Sequence, residues 1–296
     1  MKSFVCVADE MFSLHNGSGP EAELFQALAR AGFAGGRRGT TQQGYYYFTP
    51  SGQLLASDNS RDPLRVARMM DVALARWKAL PRDRRLLPRT PETNPGGRSR
   101  GESHYPADGL VLRQFTRDLG ASRRTLGDLE DPWNTDMVWI SAAEVRRMVP
   151  ATARKGDRYA VPESVIQRLA RLHLVDSVLG QTSPFQPRSV TEARLEVEIT
   201  ERNADEVRLA LTGRTRASEG TRSIDLRLLG RATFDPRTNR FTSFELFATG
   251  TRTGRQPQSY IRDEAGRGEI GFAFILAGDS KADKVAPSYF GAYGWR

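Results

Sequence analysis

One cysteine, Cys6, stands in the whole chain, so no internal disulfide can form and no Cys-x-x-Cys exists. Nothing in the cysteine usage points to an oxidising compartment. Long apolar runs are also missing: none approaches the roughly 20 residues needed to cross a bilayer as a helix. Phe4 to Ala8 is too short for the apolar core of a signal peptide, so the expected location is cytoplasmic. Histidine is scarce, and His15, His104 and His173 are scattered with no His-x-x-x-His pair. His173 and Asp176 share a predicted helix face, but two ligands make a poor metal site and a packing histidine is favoured. No metal or cofactor is therefore expected. Gly-x-Ser-x-Gly, Gly-x-Gly-x-x-Gly and the Walker pattern are absent.

Acidic charge is in modest deficit. The net charge is +9, from 44 basic and 35 acidic residues. The excess spreads as +2, +2, +3 and +2 over residues 1–80, 81–109, 110–189 and 190–296. Nucleic-acid binders concentrate basic residues on one face or stripe. DNA and RNA are disfavoured as partners here.

What is present divides into three parts. Residues 1–80 read as strand, helix, strand, strand, helix. FVCVA is the first strand, with Cys6 buried in it. SGPEAELFQALARAGF is a helix with Ser18 and Glu21 at capping-box spacing. Tyr45–Phe48 and Gln53–Ser57 flank a Pro50-Ser51-Gly52 turn, and a helix runs from Asp62-Pro63 to about Leu80. Residues 81–109 are rich in proline, glycine and arginine, and read as a linker.

Residues 110–296 form a β-rich part with a helical lead-in. LVLRQF has strand character, and helices are expected at about 141–149, capped by Ser141 and Glu144, and 162–178. From 193 the apolar period becomes two: ARLEVEIT, EVRLALTG, SIDLRLLGRATF, RFTSFELFATG and EIGFAFILAG predict five half-buried antiparallel strands. The fold class is α+β, ending in a curved antiparallel meander or half-barrel.

QGYYYFTPSGQLLA and DPLRVARMMDVALARW resemble the hairpin and closing helix of thioredoxin-like domains. The resemblance implies an incomplete βαββα module, whose active-site strand and helix would lie before Met1. It also implies a cis-proline before the hairpin, where Gln42-Gln43-Gly44 stands instead. FVCVADE, YPADGLVLR, LARLHLVDSV and LLGRATFDPRTNRFTSFEL resemble bacterial proteins that join such a module to a β-rich part. That group implies architecture and no activity.

Two sets of residues are candidate sites. In GFAGGRRGTTQQG, the backbone N–H groups of Gly35, Gly36 and Gly39 beside Arg37 and Arg38 form a candidate anion-binding loop. Phe234, Phe244, Phe272 and Phe274, with Phe241 nearby, could line an apolar ligand cavity in a curved sheet, although core packing explains them as well. Glu196 and Glu198 fit a solvated strand face. No catalytic residue stands out. The leading expectation is a noncatalytic binding or scaffolding protein, meeting a protein partner or a second copy through the sheet edge of the thioredoxin-like module. The alternatives are a hydrophobic-ligand carrier and an oxidoreductase whose catalytic segment precedes this chain.

Overall fold

A computed structural model describes residues 3–7, 11–33, 35, 42–60, 62–85, 101–120, 133–178, 180–254, 258–259 and 267–295. The chain divides into two compact units, Met1–Arg98 and Ser99–Arg296, and the division falls inside the proline-rich segment 81–109.

The first unit contains α1 (Met11–Asn16), α2 (Pro20–Ala31), β1 (Tyr45–Phe48), β2 (Leu54–Asp58), α3 (Pro63–Ala79) and α4 (Arg82–Arg85). The hairpin closes through Thr49 N–H to the Gln53 carbonyl, and Gly52 turns at φ 81°, a left-handed conformation that glycine adopts without strain. Helix α3 begins where Asp62 accepts from Leu64 N–H with proline at the first turn. Its Ala73 packs on Leu55 and Ala56, flanked by Tyr47, Met69 and Trp77.

Three sequence expectations in this unit, the first strand, the buried Cys6 and the capping box of the first helix, differ from the described residues. The described part of FVCVA, Phe4 to Val7, is not a strand. It docks through Phe4, which meets Tyr47 edge-on at 5.9 Å, and Cys6 is exposed rather than buried. Apolar β-formers alone do not make a strand where no neighbour offers a ladder. Helix α2 starts at Gly19 with no side-chain cap, so Ser18 and Glu21 do not form their box. A short helix, α4, occupies the start of the segment read as linker, and residues 86–100 lie outside the described residues.

The second unit contains β3 (Leu110–Asp118), β4 (Trp133–Ile140), α5 (Ala142–Met148), β5 (Arg158–Ala160), α6 (Glu163–Arg168), β6 (Gly180–Gln181), β7 (Val190–Arg202), β8 (Val207–Glu219), β9 (Arg222–Asp235), β10 (Arg240–Thr253), β11 (Gln258–Ser259) and β12 (Gly268–Leu276). The large sheet is open, with eight antiparallel strands in the order β4-β3-β12-β10-β9-β8-β7-β5. The five expected strands form its middle. β3 and β4 extend it beyond β12, and β5 covers part of β7, so the five-stranded meander is an underestimate. Strands β8 to β10 approach so closely that an added Cβ on Gly250 would sit 2.0 Å from the Asp225 carbonyl oxygen.

Alternate residues of these strands, including Leu209, Leu211, Leu226, Leu228 and Leu246, bury one face. Val145 and Met148 of α5 and Val165 and Ile166 of α6 pack on it. The Ser141–Glu144 capping box forms as read. The helix expected over 162–178 is shorter: α6 passes into one turn of π-helix over Leu169–His173 and ends there. Around β4, Val111, Met137 and Trp139 are covered by the C-terminal segment through Tyr293, Phe290 and Trp295, with Leu172. No described helix is long and apolar enough to cross a membrane.

Strand β4 was not read from the sequence, because Asn134, Thr135 and Asp136 break the apolar alternation. Their role is visible at the sheet edge, where among the described residues no strand pairs beyond β4. Asn134 Oδ1 accepts from Thr135 N–H at 2.8 Å, Asp136 Oδ1 from Met137 N–H at 2.8 Å, and the Tyr293 hydroxyl from Trp139 N–H at 3.2 Å. Side chains thus occupy alternate N–H groups that another strand would otherwise recruit.

Candidate functional site

The polar half of β4 faces a cleft of about 410 Å³, lined by Gln114, Asn134, Thr135, Asp136, Leu172, Val175, Ser177, Thr182, Ser288 and Tyr289. Gln114 and Asp136 are opposite each other in the β3–β4 register. The π-turn supplies Leu172, with His173 buried next to it in sequence, and the C-terminal segment supplies Ser288 and Tyr289.

Asp136 collects donors. Besides Met137 N–H, its Oδ1 accepts from the Ser288 backbone N–H at 2.9 Å and the Ser288 hydroxyl at 3.0 Å. Its Oδ2 lies 3.4 Å from His173 Nδ1, a contact without the alignment of a hydrogen bond. Burial pushes the carboxyl pKa up, but His173 and the backbone N–H groups of Ser288 and Met137 outweigh that and hold it below the usual carboxylate range.

His173 is fully buried, and its Nε2 lies 2.7 Å from the Tyr293 hydroxyl. The Tyr293 oxygen already accepts from Trp139 N–H. Among the described residues the tyrosine proton finds its acceptor at Nε2, which in a neutral imidazole leaves the ring proton on Nδ1, facing Asp136. Burial pushes the Tyr293 hydroxyl well above the ordinary tyrosine range.

Behind Tyr293 lies a buried ion pair. Arg168 donates to both Glu144 oxygens, at 3.0 and 2.8 Å, and its guanidinium carbon sits 4.7 Å from the Tyr293 ring and 5.4 Å from the Trp295 ring. Burial raises the Glu144 pKa, yet Arg168 and Ser141 bring it below the usual range. Gln114, only 2% exposed, donates through Nε2 to the His173 carbonyl at 2.8 Å and to Thr116 Oγ1 at 2.9 Å. A carbonyl can only accept, which fixes the amide orientation and leaves Gln114 Oε1 buried with no partner.

The arrangement does not activate a nucleophile. The Ser288 hydroxyl donates to Asp136, and the histidine nitrogen that would serve as base is occupied by Tyr293. Among the described residues no group of three His, Cys, Asp or Glu side chains could hold a metal ion. Asp176, paired with His173 in the sequence reading, instead meets Arg252 at 3.3 Å.

None of the described sequence-chosen residues is among those lining this cleft. Of the candidate anion-binding residues only Gly35 is described, at φ 57° with its N–H on the Gly32 carbonyl. Gly36, Arg37, Arg38 and Gly39 lie outside the described residues. Phe234, Phe244, Phe272 and Phe274 are all buried members of the main core, and none lines this cleft. Glu198 is on the solvated face, 2.7 Å from Arg158. A shallower depression of about 580 Å³ on the sheet is lined by Arg194, Arg214 and Arg227 beside the exposed Leu229 and Phe247. Arg194 and Arg214 there contact Glu192, and Arg214 also contacts Asp225.

Comparison with protein-family models, curated proteins and solved structures finds no match.

Proposed function

We propose that this chain is a noncatalytic binding protein and that the cleft between Gln114, Asp136 and Ser288 is its ligand site. One observation carries the reading. Of the groups able to move protons, Asp136 accepts from backbone N–H groups and the Ser288 hydroxyl and His173 Nε2 is held by Tyr293, while among the described residues His173 Nδ1 and the buried Gln114 Oε1 have no hydrogen-bond partner. A buried acceptor without a donor costs about 1–3 kcal/mol, and a bound ligand or ordered water that donates to it recovers that cost. Catalytic sites keep an acid, base or nucleophile available to the substrate; this one keeps an acceptor.

The test is saturation-transfer NMR of the full chain with a fragment library, repeated on Ser177→Trp, which fills the cleft without removing any side-chain bond named above. Hits that disappear in the variant and are recovered chemically unchanged support the reading. Conversion of a bound compound, or hits indifferent to the filled cleft, overturns it.

A second reading concerns the first unit. The resemblance of residues 1–80 to a thioredoxin-like module, redox-inactive for want of its dithiol, implies a sheet edge available to a partner strand. Among the described residues β1 and β2 pair with each other alone, which supports a scaffolding role through that edge. Light scattering over the micromolar range is expected to show a mass that rises with concentration. A constant monomer mass would exclude self-association by that route.

A further inference from the structure

We infer that the cleft takes a small organic cation, a primary ammonium or guanidinium group carried on a short apolar chain. The inference rests on the cleft being the binding site and adds the chemistry of its ligand.

Among the described residues lining the cleft, Asp136 is the one of formal charge. None of those described residues is cationic, so an anion would meet the repulsion of an ionised carboxylate there. The neighbouring field does not reverse this. Arg252 is paired with Asp118, at 2.8 Å, and Asp176, at 3.3 Å. Arg222, whose charge reaches Tyr289, is itself paired with Glu219.

The hydrogen-bond inventory points the same way. Several neighbouring donors are already spent: Gln114 Nε2 on His173 O and Thr116, Asn134 Nδ2 on Ser177 O, the Ser288 hydroxyl on Asp136, and the Tyr289 hydroxyl on Thr182 O. Among the described lining residues the buried atom left without a partner is an acceptor, Gln114 Oε1, on the residue opposite Asp136 in the register. A ligand that only donates, and carries positive charge, matches both. Leu172 and Val175, with the Tyr289 ring, give the rest of such a ligand an apolar wall. At about 410 Å³ the space exceeds that of a bare ion or a single water.

The experiment titrates the full chain with butylammonium and butylguanidinium, with butanol and butyrate as matched neutral and anionic probes, following the Gln114 side-chain amide by NMR. The expected result is saturable binding of the two cations and none of the other probes. Asp136→Asn is expected to weaken cation binding about tenfold or more, the loss of a charge-assisted contact. Ser177→Trp, which spares the Asp136 network, abolishes it with the melting temperature unchanged. Binding of butanol or butyrate in the cleft while the cations stay silent would overturn the ligand class and leave the binding reading standing. Silence from all four probes would overturn this inference, whereas the binding reading falls only if the fragment library also finds nothing there.

Discussion

The Arg168–Glu144 pair offers the sharpest quantitative test of how the second unit is held. Both side chains are nearly buried, at 8% and 7% exposure, and Arg168 also donates to the Trp139 carbonyl at 3.3 Å. Replacing Arg168 by Met leaves Glu144 charged and buried, with only Ser141 and Ser164 still donating to it. Breaking a buried pair from one side costs about 3–5 kcal/mol. Glu144→Gln strands the guanidinium and is expected to cost about as much. In the double variant both charges are gone, and the total should fall short of the sum of the single losses by about 2–3 kcal/mol. With a urea slope of about 3 kcal/mol per M, each single variant lowers the midpoint by about 1–2 M. Near-UV circular dichroism reads this, because Trp139 and Trp295 pack beside the pair. Single losses below about 1 kcal/mol, or strict additivity in the double variant, would refute the reasoning.

Other predictions follow from the same geometry. Because the Asp136 carboxyl is held below its ordinary range, its contribution is present above the unfolded-state pKa of about 4 and is lost as pH falls through the folded value. Urea midpoints between pH 7 and 3 should therefore drop less steeply in Asp136→Asn than in the parent, and parallel curves would contradict this. At the alkaline end, burial pushes Tyr159 up to about 12, so its contribution is intact below about pH 10 and lost as pH rises above it. Tyr159→Phe, although it forfeits the 2.9 Å bond to the Met148 carbonyl, should flatten the fall between pH 10 and 12. Gly250→Ala forces a Cβ into the Asp225 carbonyl and should cost about 1–3 kcal/mol by urea unfolding; a neutral effect would mean β9 and β10 are not that close. The exposed Cys6 should react with maleimide in the native state about as fast as in urea, and strong native protection would restore the buried strand expected from sequence.

The β-rich half was legible where alternation was strict. SIDLRLLGRATF announces a strand because Ile224, Leu226, Leu228, Ala232 and Phe234 fall on one face, and that face is buried. FVCVA misled for the converse reason: strand-forming side chains describe a residue's preference, and only a neighbouring backbone makes a ladder. The candidate site was the least legible part. Asn134 and Asp136 look like loop residues because they cap their own strand's N–H groups, a role that depends on β4 being last in the sheet. His173 is expected to pack rather than bind and is fully buried, but the residues beside it, Asp136 and Tyr293, lie 37 residues before it and 120 after it, beyond the reach of any local pattern. The available signal was compositional: the aromatic run YFGAYGW at 289–295 is too apolar for a solvated tail, and it packs onto Trp139.

The most direct test of binding without chemistry is a single NMR titration that follows protein and ligand together. An excess of butylammonium is added to the full chain, with the Gln114 side-chain amide and the ligand's own signals recorded over a day. The account predicts saturable shifts centred on Gln114 and Ser288, absent in Ser177→Trp, with the ligand signal undiminished. Consumption of the ligand, or shifts that leave Gln114 and Ser288 unmoved, would contradict it.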